Sequence, residues 1–290
     1  MKKNVICLAE NYDVFLVDLY GVLWNGDNFF PQALERLSKL REMGKTVIIL
    51  SNYPQRAEFV ESLYFRYKMF RGGHYDKMVT SGELAYRLFA GEERRLNYAV
   101  IGKSDNSVFS ASPFRLVTDI NKADFVYLAT PKYTNEQGIL VESLDLSHFQ
   151  PQLDFACHLK KKFVCANPDR KSHSSGYAQM VLRPGAMADY CRNKGADIFF
   201  IGKPEKNFYD FALQETNVPK NKILMVGDAL ETDILGACNV GIDSALVKTG
   251  VSYDDMLHSC CHSLLEYAQS RKNYTDAYFG MFLNKKIPFR

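Results

Sequence analysis

The sequence predicts an α/β fold, a parallel-sheet core carrying a second, inserted α/β domain, and three observations predict it. Short apolar runs bounded by turn residues alternate with helical patterns along most of the chain, as β-α units around a parallel sheet require. The clearest runs, residues 14–17, 46–50, 197–201 and 223–226, are nearly all apolar, which suits strands buried on both faces. Each then meets a polar residue: Asp18, Ser51, Lys203 after Gly202, and Asp228 after Gly227. In an open parallel sheet the carboxyl ends of the strands line the ligand crevice, so these four groups are expected to converge on one edge.

The elements follow in order. After the first strand, residues 31–43 read as a helix, with Pro31 at a plausible first-turn position and Gly44 as its stop. Residues 207–216 and 231–238 read as helices flanking the last of the four strands. Between Val100 and Arg183 the pattern repeats with its own strands, 99–101, 124–129 and 163–166, but without comparable polar residues at their ends. This stretch reads as a second domain that interrupts the first, because the strands ending at Lys203 and Asp228 come after it. The expected division is a core from residues 1–96 and 184–290 and an insert from 97–183.

Composition narrows the function. The chain has 290 residues, about two domains at roughly 150 residues each. It is 47% hydrophobic and 24% charged, which are globular values. Lys and Arg exceed Asp and Glu by 36 to 33, a net charge of +3, and the basic clusters are short, so nucleic acid is not an expected partner. No run approaches 18 apolar residues, and the apolar stretch 5–9 is too short for a signal peptide. The cytoplasm is the expected compartment, with no membrane partner. Seven cysteines at irregular spacing, without a C-x-x-C pair, indicate reduced structural thiols.

The chemistry starts at Asp18, a carboxylate at the end of an apolar strand followed by Gly21. Such a group can serve as a nucleophile, or simply cap a turn. Asp228 and Asp233 in the segment 224–233 add two more carboxylates facing the same crevice. Clustered carboxylates repel, and a hard divalent cation relieves the repulsion; Mg²⁺ with carboxylates, a carbonyl, waters and a substrate phosphate is the usual arrangement. Asp233 also suits a helix start. Lys203 in Gly202-Lys203-Pro204 supplies a point charge for an anion. Ser51 and Asn52 supply a hydroxyl and N–H groups at a strand-to-helix turn, where phosphate binds well.

These ordered segments resemble the motifs of the haloacid dehalogenase superfamily, and its type-IIA (NagD-like, nitrophenylphosphatase-like) branch fits best. The resemblance rests on Ser51-Asn52-Tyr53-Pro54, on Thr80-Ser81-Gly82-Glu83 before the insert, on Ala166-Asn167-Pro168-Asp169 within it, and on Gly202-Lys203-Pro204 after it. It covers most of the chain, from about residue 14 to about 250. It implies a Rossmann-like parallel-sheet core with an inserted α/β cap domain, and a Mg²⁺-dependent phosphatase acting on a small phosphorylated metabolite. Asp18 would attack phosphorus to form an aspartyl-phosphate, and Asp18, the carbonyl of Tyr20, Asp228 and Asp233 would form the metal site. Lys203, Ser51 and Asn52 would hold the phosphoryl group, while Asn167 and Asp169, on a loop that equally reads as a plain turn, would contact substrate. At most a second copy of the chain is expected as a protein partner.

One position departs from the pattern. Phosphatases of this family carry a second aspartate two residues after the nucleophile as general acid and base, and here that residue is Tyr20. A general acid/base contributes about 10²- to 10⁴-fold. The phenol itself, or Asp27 on the stretch 24–30, are candidate replacements. The expectation is a slow phosphatase; the alternative is a catalytically impaired protein that binds a phosphorylated ligand. Three further features are set aside: Cys157, His158, Cys165 and His173 as buried thiols and surface histidines, Asn273-Tyr274-Thr275 as a chance glycosylation sequon, and Tyr64 to Tyr67 with Phe70 as a core face with one exposed edge.

Overall fold

The computed structural model describes residues 5–174, 179–251, 274–275 and 281–284. Its strands are β1 Val14–Val17, β2 Thr46–Ser51, β3 Lys77–Thr80, β4 Asn97–Ile101, β5 Arg115–Leu116, β6 Phe125–Leu128, β7 Lys132–Thr134, β8 Leu140–Glu142, β9 Lys162–Cys165, β10 Lys171–His173, β11 Met180–Leu182, β12 Ile198–Phe200, β13 Ile223–Gly227, β14 Asp243–Leu246, β15 Tyr274–Thr275 and β16 Met281–Asn284. The helices are α1 Val5–Leu8, α2 Ala33–Glu42, α3 Ala57–Phe65, α4 Ser81–Ala90, α5 Gln150–His158, α6 Pro184–Asn193, α7 Lys206–Leu213 and α8 Leu235–Val240.

The described residues fall into two compact units. The first takes its residues from Met1–Ser51, Glu58–Val79 and Pro204–Arg290, the second from Asn52–Ala57 and Thr80–Lys203. The first is built on a seven-stranded sheet in the order β15-β16-β14-β13-β1-β2-β3. β2, β1, β13 and β14 run parallel, and β16 is antiparallel to β14. Every residue of β1 and β13 is buried, which is why these segments read as unbroken apolar runs. In register Val17 lies beside both Val226 and Ile49, so Asp18, Asp228 and Ser51 follow at the same end of the sheet. The fold is thus a Rossmann-like α/β core in this unit.

The second unit holds a five-stranded sheet, all parallel, in the order β12-β9-β6-β4-β5. α5 and α6 cover it with Leu153, Ala156, Met187, Ala188 and Cys191, packed on Val126, Leu128, Phe163 and Cys165. Two hairpins, β7-β8 and β10-β11, complete it.

Two expectations change here. The run 197–201 was expected in the same sheet as β1, buried on both faces; instead β12 pairs with β9 in the second sheet, at its edge, and Phe199 is 48% exposed. A short apolar run carries no mark of which sheet it joins, and one open edge lets such a run remain apolar while half its surface meets solvent. The segment 231–238, expected as one helix, is a π-helical turn, Leu230–Ile234, leading into α8.

Candidate active site

Asp18 stands one residue past β1, where its N–H donates to the Val226 carbonyl (2.9 Å) and so continues the ladder to the strand's last rung. Asp228 follows β13 in the same way, and Asp233 sits in the π-helical turn beyond it. One carboxylate oxygen from each of the three lies within 4.8 Å of the others, and all three side chains are buried, at 7%, 3% and 0% exposure.

Local geometry explains how the chain brings them together. Asp233 Oδ2 accepts from the N–H groups of Asp228 (3.0 Å) and Ala229 (3.1 Å), so the carboxylate closes the turn after β13 as a helix-capping group would. Gly227 leaves room for it: a Cβ there would collide with the Asp233 side chain. Asp228 Oδ2 accepts from the Val251 N–H (2.8 Å), and a Cβ at either Gly21 or Gly250 would strike the Asp228 carboxylate. Three glycines therefore let backbone close on two carboxylates.

Three carboxylates this close would repel strongly in a buried place, and their oxygens form the hard donor set that a divalent cation of the Mg²⁺ or Ca²⁺ kind requires. The residues thus fit a metal site, their carboxylate oxygens lying close enough together to share one ion. Cys157, His158, Cys165 and His173 form no such group. Burial pushes the Cys165 thiol up to about 12, which keeps it protonated near neutral pH, and His158 is exposed. His173, expected at the surface, is buried at the end of β10.

Tyr20 forms a β-bridge with Trp24, and its hydroxyl donates to the Asn25 carbonyl at 3.3 Å. The phenol is long enough to reach the following loop, where an aspartate at that position would stop short. Asp27 is exposed, its N–H held by Asn25 Oδ1 (2.9 Å) in an Asx turn. The loop is pinned by aromatic contacts of Trp24 with Phe29 (5.0 Å), Tyr64 (5.3 Å) and Tyr67 (4.6 Å). Of the aromatic run expected as a core face, only Tyr64 is buried in that cluster; Phe65, Tyr67 and Phe70 are exposed, because α3 ends at Phe65 and helical spacing does not extend to Tyr67 and Phe70. Asn273 of the sequon lies outside the described residues.

In the second unit another set converges. Asn52 Nδ2 donates to Asp169 Oδ1 (2.9 Å) and to the Lys203 carbonyl (3.1 Å), and Asn52 Oδ1 accepts from the Lys203 N–H (2.7 Å). Asn167 Oδ1 accepts from the Asp169 N–H (3.0 Å), so the segment 167–169 is an ordered turn. Thr80, Ser81 and Gly82 hold the neighbouring loop: Thr80 Oγ1 donates to the Gln55 carbonyl (2.6 Å), and Ser81 Oγ and the Gly82 N–H donate to the Tyr53 carbonyl (3.1 Å each).

Residues 249–251 were not among the expected site residues. Thr249 Oγ1 donates to the Gly21 carbonyl (2.7 Å), Gly250 packs on Asp228 and Val251 caps it. The available signal was the same one used elsewhere, polar residues after a strand, but Asp243 and Ser244 break the apolar run of β14. Asp243 is tolerated there because the Tyr12 hydroxyl donates to it (2.8 Å) inside the core.

The model of the haloacid dehalogenase-like hydrolase family matches residues 15–114, and a second, HAD-hydrolase-like model matches residues 200–269. Phosphoglycolate phosphatase 2 of Arabidopsis thaliana is 25% identical over 280 residues, covering 88% of this chain and 89% of its own. Ribonucleotide monophosphatase NagD of Escherichia coli (strain K12) is 26% identical over 260 residues, covering 89% and 92%. The crystal structure of a haloacid dehalogenase-like family hydrolase from Brucella suis 1330 superposes with a TM-score of 0.76 at 26% identity, covering 87% of this chain and 90% of that one. With the carboxylate trio at the ends of β1 and β13, these likenesses identify the chain as a member of the haloacid dehalogenase-like hydrolases, in the NagD-like type-IIA branch of that family's phosphatases.

Proposed function

We propose that the protein is a Mg²⁺-dependent phosphatase that hydrolyses a small phosphorylated metabolite through an aspartyl-phosphate at Asp18, and that it turns over slowly because Tyr20 stands at the general-acid position. The observation that carries this reading is the buried trio Asp18, Asp228 and Asp233 at the ends of two adjacent parallel strands. Relatives named as phosphatases of phosphoglycolate and of ribonucleotides support a small phosphorylated substrate.

Asp18, Asp228, Asp233 and the Tyr20 carbonyl would hold the cation, which when bound neutralises carboxylate and phosphoryl charge. An Asp18 oxygen attacks phosphorus, the ester oxygen leaves with the bonding pair and takes a proton from water, and a second water cleaves the acyl phosphate to return Asp18 and inorganic phosphate. Ser51 and the N–H groups around it are proposed to hold phosphoryl oxygens, and Lys203 to supply positive charge, since phosphoryl transfer depends chiefly on positioning and electrostatics. Asn167 and Asp169 belong to the same proposal as its substrate-side turn. A phosphate-binding role without useful turnover is the second reading, and the engagement of the Tyr20 hydroxyl by Asn25 favours it.

Phosphate release from 4-nitrophenyl phosphate, measured with Mg²⁺ and after chelation, checks the metal. Release is expected to vanish with chelator and return with Mg²⁺, and Asp228→Asn is expected to raise the Mg²⁺ needed at least tenfold. Release that persists undiminished in chelator contradicts the metal assignment.

A further inference from the structure

The side-chain amide of Asn52 has two N–H groups, and both are engaged within the protein, one by Asp169 Oδ1 (2.9 Å) and one by the Lys203 carbonyl (3.1 Å). A phosphate oxygen only accepts, so the amide has no N–H left for it. Its Oδ1 takes the Lys203 N–H at 2.7 Å, and the amide therefore pairs with both polar backbone groups of Lys203, as a neighbouring strand would. Asn52 and Lys203 are 4% and 2% exposed, so the two bonds between them are shielded from competing water.

The approach depends on Gly202. Its φ is +128°, and a Cβ there would lie 2.6 Å from Asn52 Oδ1 and 2.9 Å from Pro168 Cδ. Asp169, the third member, is held at both backbone groups: its N–H by Asn167 Oδ1 and its carbonyl by the Gly185 N–H, each at 3.0 Å. Gly185 in turn is required to be small, because a Cβ would collide with the Pro168 carbonyl. Three segments far apart in sequence, at 52, 167–169 and 202–203, are thus locked to one another through a single amide.

We propose that Asn52 is a positioning residue for Lys203 and that Asp169 acts by orienting the Asn52 amide, rather than either side chain touching the phosphate. The proposal rests on the phosphatase reading above in taking Lys203 as the cation of the site. A lysine places its charge at the end of a flexible four-carbon stem, so where its backbone starts decides where the ammonium can dwell. Misplacement by about 1 Å of a group that supports the chemistry is enough to lower the rate by about 10²-fold.

The test is a double-mutant cycle on the full chain. Phosphate release from 4-nitrophenyl phosphate and calorimetric binding of inorganic phosphate, both with Mg²⁺, are measured for the wild type, Asn52→Ser, Lys203→Ala and the double variant. Asp169→Ala, alone and with Lys203→Ala, carries the same comparison should Asn52→Ser fold poorly. Asn52→Ser is expected to lower kcat/KM about tenfold or more when Lys203 is present, and less than about twofold when Lys203 is alanine, with phosphate affinity following the same pattern. A direct phosphate ligand predicts equal losses in both backgrounds, and that result overturns the positioning role alone. A wild type that neither releases nor binds phosphate overturns the phosphatase reading, and the proposal with it.

Discussion

Tyr20 is the residue to which the slow turnover proposed above is assigned. Its hydroxyl donates to the Asn25 carbonyl rather than standing free, and such a neutral bond contributes about 0.5–1.5 kcal/mol. Tyr20→Phe is therefore expected to lower stability by about that amount while leaving phosphate release within about twofold of wild type. If the phenol were the general acid, release would instead fall by about 10²-fold or more. The carboxylates of the site were legible in the sequence because a buried apolar run that ends abruptly in Asp is a local signal, present at both Asp18 and Asp228. The engagement of Asn52 by Asp169 and Lys203 was not, since it joins residues 117 and 151 positions apart and a sequence shows an amide's chemistry without showing its partners.

At the scale of elements, the turns after β1 and β13 are shaped by glycines that admit neighbouring carboxylates. Gly21 has φ +92°, and a Cβ there would land on the Asp228 carboxylate, so two separate constraints act on one position. Gly21→Ala is expected to destabilise the protein by more than about 1 kcal/mol and to reduce the rise in melting temperature expected from the proposed Mg²⁺ binding. Unchanged denaturation midpoint and unchanged Mg²⁺ response would contradict the close approach. β1, β2 and β13 were legible because burial on both faces leaves unbroken apolar runs in them, residues 14–17, 47–50 and 223–226. β14 was not, because the Tyr12–Asp243 hydrogen bond lets a carboxylate sit inside a strand. The π-helical turn was hidden for a related reason: helical spacing in 231–238 does not reveal that Asp233 would bond back to Asp228 and Ala229.

Across the whole molecule, the α/β class with two sheets follows from alternating apolar runs and helical patterns, whereas the assignment of β12 to its sheet does not. Three apolar residues, Ile198–Phe200, satisfy either sheet equally, and pairing with β9 is a long-range outcome. The nucleophile proposed at Asp18 would tie the sheet topology to the chemistry, because that carboxylate stands where two parallel strands end together. Mg²⁺-dependent phosphate release from 4-nitrophenyl phosphate, compared among wild type, Asp18→Asn and Tyr20→Asp, tests it most directly. The expected result is slow release by the wild type, none by Asp18→Asn, and about 10²-fold or greater acceleration by Tyr20→Asp. Release that survives Asp18→Asn undiminished would contradict the nucleophile, and with it the reading of this protein as a phosphatase working through an aspartyl-phosphate.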